Sequence, residues 1–230
     1  MSVKVILISQ FELPYSKIGS WTTMYTNYLS RNANQIDYVV SPQPKKRIKS
    51  VNYKFVKEGT VDKILCKTLN RSYKYEKFIR KIKKIINRNE KYIIQVIDNF
   101  GIVPHLHKFL LSQGLRKNVL IQFYYHGFDP FLGNFQSRSF FEQIDEMILL
   151  TELSYRKHIN FYSVMPCSFK VLPNGVDTNI FKKVSNSQKT ELKENLGLEE
   201  KTVFIWCSND RPKKGLGFTL NLWSKILKKH

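Results

Sequence analysis

Cysteine is scarce in this chain of 230 residues. The three present, Cys66, Cys167 and Cys207, lie far apart and form no C-x-x-C pair. That excludes a disulfide scaffold, argues against a thiolate zinc site, and makes a reducing compartment the default. Long apolar runs are missing as well: none approaches the ~18 residues that a spanning helix requires. The first eleven residues, MSVKVILISQF, carry one Lys, no basic leader and no small-residue cleavage site. They read as a first strand rather than a signal peptide. Internal repeats and low-complexity tracts are also lacking. Acidic residues are few, with 18 Asp and Glu against 38 Lys and Arg, a net charge of +20.

What is present suffices for a folded core: 42% of residues are hydrophobic and 13% aromatic, which excludes wholesale disorder. At the usual ~150 residues per domain, the length corresponds to one layered unit and part of another. The positive balance has two readings. Either it marks a polyanionic partner (nucleic acid, anionic lipid or phosphate-bearing small molecules), or it is a compositional bias whose charge is simply solvated.

Strand-like and helix-like stretches alternate along the chain. Residues 3–8, 36–40, 92–97, 118–125, 146–150 and 169–172 read as buried strands. In residues 21–30, Met24, Tyr25, Tyr28 and Leu29 fall at helical spacing, and residues 71–91 read as one long helix after a basic connection. His105 and His107 look like residues of a helix start. Strands separated by helices predict a parallel sheet covered on both faces. A second organisation starts near Ser185, where Ser185 and Gln188 have capping-box spacing and Gly197 stands where a helix would stop. A strand at 203–207, a polar loop and a helix with Phe218, Leu222, Trp223 and Ile226 follow. The expected domains are therefore 1–184 and 185–230. One strand and its helix leave sheet edges unpartnered, so the second domain reads as truncated.

The most informative segment is LPNGVDTNIF, with Pro173-Asn174-Gly175 as a sharp turn after a strand. By itself it is only a turn. Its place in a longer ordering adds weight. A Gly19-Ser20 loop follows the first strand, and a strand ends in His126-Gly127. PNGVD comes next, and then helix, strand and a loop ending in Lys213-Lys214-Gly215-Leu216. This ordering resembles the retaining nucleotide-sugar glycosyltransferases of GT-B architecture, which pair two Rossmann-like domains. The resemblance spans essentially the whole chain and is closest to bacterial enzymes of envelope polysaccharide, lipopolysaccharide and lipid synthesis.

The resemblance implies an α/β fold of GT-B type: a Rossmann-like parallel-sheet domain on the acceptor side and the start of a second one that binds donor. It implies hexosyl transfer from a nucleotide-diphosphate sugar to a hydroxyl of a cell-surface glycan or lipid-linked acceptor. No cofactor and no metal are implied, and no D-x-D sequence occurs in the chain. His126 and Asp129 match the catalytic positions, with Phe128, Asn174 and Gly175 lining the cleft. Gly19, Ser20, Arg211 and Lys214 match donor-phosphate positions, although the family usually has two glycines where this chain has Gly19-Ser20. Its clamping Arg falls near Asn209 rather than on Arg211. The family also uses a pair of acidic residues in its second domain, yet after Asp210 this chain has no Asp or Glu. The expected location is the cytoplasm, extending to the inner face of the cell membrane.

The stretch from Arg71 to Lys91, RSYKYEKFIRKIKKIINRNEK, has nine Lys or Arg and two Glu. Its apolar residues recur at helical spacing, so one stripe packs inward and the remainder is cationic. That cationic face is either solvated or rests on anionic lipid headgroups. Two alternatives to the transferase stand beside it. One is a truncated, non-catalytic module binding glycan or an anionic membrane. The other is a basic α/β protein binding nucleic acid, for which no helix-turn-helix, zinc-finger or aromatic RNA-binding signature is present.

Overall fold

The computed structural model describes residues 3–15, 20–57, 59–68, 71–207 and 214–228. The chain divides into two compact units, Met1–Asp177 and Thr178–His230. The first is built on one parallel sheet. Its strands are β1 (Val3–Ser9), β2 (Tyr38–Ser41), β3 (Tyr53–Phe55), β4 (Lys91–Ile97), β5 (Val119–Tyr124), β6 (Glu146–Leu149) and β7 (Ser168–Val171). They lie in the order β3-β2-β1-β4-β5-β6-β7, every pair parallel. The first crossovers run one way from β1 and the later ones run the other way from β4. The β1/β4 boundary is therefore a topological switch point, as in a Rossmann-like fold.

Alternating side chains explain the two covered faces. Leu7 of β1 points into one core, while Ile6 and Ile8 point into the other. The Leu7 face is covered by α1 (Ser20–Asn32) through Tyr25 and Leu29. The opposite face is covered by α3 (Glu76–Ile82), α4 (Ile102–Ser112), α5 (Asn134–Phe141) and α6 (Glu152–Phe161). Each fully buried Leu, Ile or Phe of these cores contributes roughly 1.5–3 kcal/mol. Two aspartates pin strand starts: Asp37 accepts the Val5 N–H at 2.7 Å, and Asp145 accepts the Ile121 N–H at 2.7 Å. Among the described residues no helix is long and apolar enough to cross a membrane.

Three expectations need correction. The long helix over 71–91 is a 3-10 turn (Arg71–Tyr75) followed by only seven α-helical residues, Glu76–Ile82. The chain tightens as the Lys84 and Ile85 N–H groups reach back three residues. It then reverses where Asn87 Oδ1 accepts the Asn89 N–H at 2.9 Å and Tyr92 Oη accepts the Asn87 N–H at 3.1 Å. Asn competes with helix through such local bonds. The apolar stripe still packs, with Phe78, Ile79, Ile82 and Ile86 all buried. Secondly, the basic connection holds the edge strand β3 and a helix, α2 (Thr60–Thr68). Thirdly, residues 203–207 form no strand. A strand needs a hydrogen-bonded neighbour, and none exists among the described residues of that unit.

In the unit Thr178–His230, α7 (Asn186–Asn195) begins with the expected capping box. Ser185 Oγ accepts the Gln188 N–H at 3.2 Å, and Gln188 Oε1 accepts the Ser185 N–H at 3.0 Å. Gly197 has φ 64° just past the helix end. The second helix, α8 (Leu216–Leu227), starts at Gly215 with φ 77°, a conformation that favours glycine.

Candidate functional site

Ligands of doubly wound sheets collect beyond the carboxyl ends of strands at the switch point. Here β4 exits into Asp98, a non-glycine residue at φ 49°. Asp tolerates this left-handed region better than most residues, but it is seldom adopted without a local reason. Its N–H donates to the Tyr124 carbonyl at 2.9 Å, locking the turn to β5. Gln10, following β1, closes the other side. Its amide donates to the Asp98 carbonyl at 3.4 Å and accepts from Asn99 Nδ2 at 2.9 Å.

The end of β5 carries His126 into this corner. Its backbone N–H donates to Asp98 Oδ1 at 3.2 Å. The ring stacks on Trp21, with centroids 5.3 Å apart and planes at 27°, and also meets Tyr124 (4.5 Å) and Tyr25 (6.2 Å). Both imidazole nitrogens are buried with no hydrogen-bond partner among the described residues. Burial pushes the ring's pKa down to about 4, so the imidazole is neutral at pH 7. Burial likewise raises the Asp98 carboxyl, partly offset by the His126 N–H, and raises both Tyr25 and Tyr124. A buried polar atom without a partner costs about 1–3 kcal/mol, and native structures rarely hold two on one ring without a use for them. A neutral imidazole offers one donor and one acceptor, so either nitrogen can pair with a hydroxyl.

Tyr25 and Tyr124 also line a cavity of about 570 Å³ against the α1 face of the sheet. Leu7, Met24, Tyr28, Pro173 and Gly175 border it. Tyr124 Oη donates to the Leu172 carbonyl at 2.8 Å, and Asp177 is ion-paired with Arg31 of α1. These contacts hold the PNGVD segment to the same corner as His126, but not as the sharp turn expected from the sequence: residues 173–177 carry no turn or bend and Gly175 is not at positive φ. Within this segment, Asn174 Oδ1 is buried without a partner among the described residues. The cavity floor is a chain of side-chain hydrogen bonds. Tyr25 Oη donates to Gln95 (2.7 Å), Gln95 to Gln122 (3.2 Å) and Gln122 to Glu146 (2.5 Å).

The structure thus gathers His126 and Gly175 around one pair of tyrosines, with Asn174 next to Gly175 in the chain. Phe128 and Asp129 are engaged elsewhere: Lys157 Nζ lies 2.6 Å from Asp129 Oδ1 and 4.5 Å above the Phe128 ring, and Ser154 of α6 donates to the Phe128 carbonyl. The carboxylate beside His126 is Asp98, which the sequence reading passed over. Its signal was an Asp-Asn pair directly after the strand YIIQVI. Ser20 is the first residue of α1, whereas Gly19 and Arg211 lie outside the described residues. In the other unit the Lys214 carbonyl accepts the Trp206 indole N–H at 3.2 Å. His105 and His107 lie within α4, held by Glu76 (2.5 Å) and the Gln143 carbonyl (3.2 Å). Among the described residues no group of three His, Cys, Asp or Glu stands together as a metal site.

Comparison with models of known protein families and with curated proteins finds no match for this chain. The class that fold and geometry define is an α/β protein with a seven-stranded parallel sheet and helices on both sides, consistent with a Rossmann-like fold.

Proposed function

We propose that the protein is a GT-B glycosyltransferase that moves a sugar from a nucleotide-diphosphate donor to a hydroxyl of a cell-surface glycan or lipid-linked acceptor. The observation carrying this reading is the neutral, unpartnered His126 at the carboxyl end of β5, in contact with Tyr25 and Tyr124, the tyrosines that share a cavity with Pro173 and Gly175 of the PNGVD segment. His126 holds a sugar or acceptor hydroxyl. Asp98, of which only Oδ1 is engaged among the described residues, supplies a second acceptor beside it. The residues this reading assigns to donor phosphate are Gly19 and Ser20 in the first unit and, separately, Arg211 and Lys214 in the second, cations of the kind that offset charge on a departing diphosphate. Aromatic rings around the imidazole also suit the apolar faces of a sugar ring.

A non-catalytic glycan-binding reading is favoured by one observation: the unit Thr178–His230 holds no hydrogen-bonded strand among its described residues. Calorimetric titration of the chain with UDP-glucose, UDP-N-acetylglucosamine and GDP-mannose separates the two. Release of nucleoside diphosphate in the presence of an envelope-glycan mixture is assayed alongside. The transferase reading expects a donor to bind and be turned over, with turnover falling on the order of a hundredfold or more in His126→Ala. Glycan binding that is lost in His126→Ala, with no donor bound by the parent chain, supports the binding module instead. Absence of both donor and glycan binding overturns both readings.

A further inference from the structure

Six cations, Lys54, Lys57, Lys77, Arg80, Lys81 and Lys84, surround one open basin of about 680 Å³ on the unit Met1–Asp177. Among the described residues no acidic side chain lines it. Positions 77, 80, 81 and 84 follow helical spacing on α3 and the turn after it, so four charges share one stripe. Their orientation is set by the opposite stripe, where Phe78, Ile79 and Ile82 are buried in the core. The facing wall is the edge strand β3, which among the described residues pairs only with β2 and carries Lys54, with Lys57 just beyond. Among the described residues Arg80 alone has an ion pair here, with Asp62 at 2.7 Å. Lys54 and Lys77 lie near the rings of Tyr38 and Phe78. Lys57, Lys81 and Lys84 have neither kind of partner among the described residues.

Protection of a sheet edge accounts for the two lysines of the β3 side but not for the four cations facing them. Like charges crowded around a concavity repel one another, and a multiply charged anion relieves that repulsion at once. Lysine ammoniums act as mobile point charges that suit phosphate oxygens, and the volume falls in the range of small-molecule sites.

We propose that this basin binds a compact polyanion bearing several phosphate groups. The same chemistry is presented by a free oligophosphate and by clustered phospholipid headgroups. The basin's chemistry is independent of the transferase reading, since none of its six cations belongs to the His126 corner.

The test is titration of the full chain with inorganic tripolyphosphate, together with co-sedimentation on phosphatidylglycerol-containing and pure phosphatidylcholine vesicles. The variant Lys77→Gln/Lys81→Gln/Lys84→Gln is compared with a charge-matched control, Lys108→Gln/Lys117→Gln/Lys182→Gln, whose residues lie outside the basin. Binding to at least one anionic probe is expected, weakened roughly tenfold or more in the basin variant and far less in the control. Binding of tripolyphosphate assigns a free oligophosphate, whereas binding of anionic vesicles alone assigns headgroups. The basin variant is expected to unfold at the parent's temperature or above, because repulsion has been removed. Lys54→Gln/Lys57→Gln samples the other wall if the first variant does not fold. Failure to bind either probe, or equal losses in basin and control variants, overturns the proposal.

Discussion

The imidazole of His126 lies stacked on the indole of Trp21, with ring centroids 5.3 Å apart and planes inclined by 27°. The two residues belong to different elements, the end of β5 and the first turn of α1, so the stack ties the two sides of the switch point together. It also helps to keep water from the imidazole. Burial holds the His126 pKa near 4, below the ordinary 6.5. The folded state resists a proton that the unfolded chain accepts, so stability is complete above about pH 6.5 and is lost as pH falls toward 4. The loss is on the order of 2–3 kcal/mol for this residue. His158, also lowered by burial, acts in the same direction. Asp98 opposes them, since its raised pKa favours the fold at low pH. Urea denaturation across pH 4–7 should show a shallower acid limb in His126→Gln and a steeper one in Asp98→Asn.

Opening the stack is the complementary perturbation. Trp21→Ala should let water reach the ring and move the His126 pKa up from about 4 toward its ordinary value. The titration of the His126 ring proton by NMR reads this directly. An unchanged value would mean that Tyr25 and Tyr124 alone supply the desolvation.

Gly127 sits where no side chain fits. A Cβ there would lie 2.1 Å from the ring and hydroxyl of Tyr125, which is only 7% exposed and donates to the Asp129 carbonyl at 2.8 Å. Because a buried ring cannot swing aside, Gly127→Ala should destabilise by about 1–3 kcal/mol. In a Tyr125→Leu background the additional cost should shrink, and comparing the single and double variants in urea measures that coupling.

Glu146 terminates the hydrogen-bond chain that crosses the sheet face. It is 5% exposed, accepts from Gln122 at 2.5 Å and is paired with Lys170 at 2.5 Å. Glu146→Ala would leave the Gln122 amide without its acceptor, so a loss of about 2–4 kcal/mol is expected, with a smaller one for Glu146→Gln. Chemical denaturation of both variants provides the check. Equal losses would show that the carboxylate charge paired with Lys170, not the hydrogen bond from Gln122, is at stake.

Much of this architecture was legible before any coordinates. Apolar runs such as YIIQVI and the Val119–Tyr124 stretch marked central strands, because a strand buried on both faces has no polar alternation to disguise it. The capping box at Ser185 and the stop at Gly197 depend on a few neighbouring residues and came out as expected. The helix over 71–91 did not. Its apolar spacing runs on past Ile82, but the Asn87 and Tyr92 bonds that end it involve a strand residue that periodicity does not register. The apolar segment at 203–207 is the converse case, strand-like in composition but with no strand beside it among the described residues of its unit.

The site divides in the same way. Local sequence was enough to put His126 at a strand end, which follows from residue preferences over a few positions. The sharp turn expected at Pro173-Asn174-Gly175 did not form: those residues carry no turn or bend and Gly175 is not at positive φ, while Tyr124 and Arg31 anchor the segment on either side of it. Choosing Asp98 rather than Asp129 as the carboxylate beside His126 required the β4–β5 pairing. So did the Trp21 stack and the low His126 pKa, which follow from α1 folding over the β1/β4 switch point. These are contacts between chain segments that only a particular strand order brings together. Burial and the electrostatics that follow from it are properties of that packing, not of any single stretch of sequence.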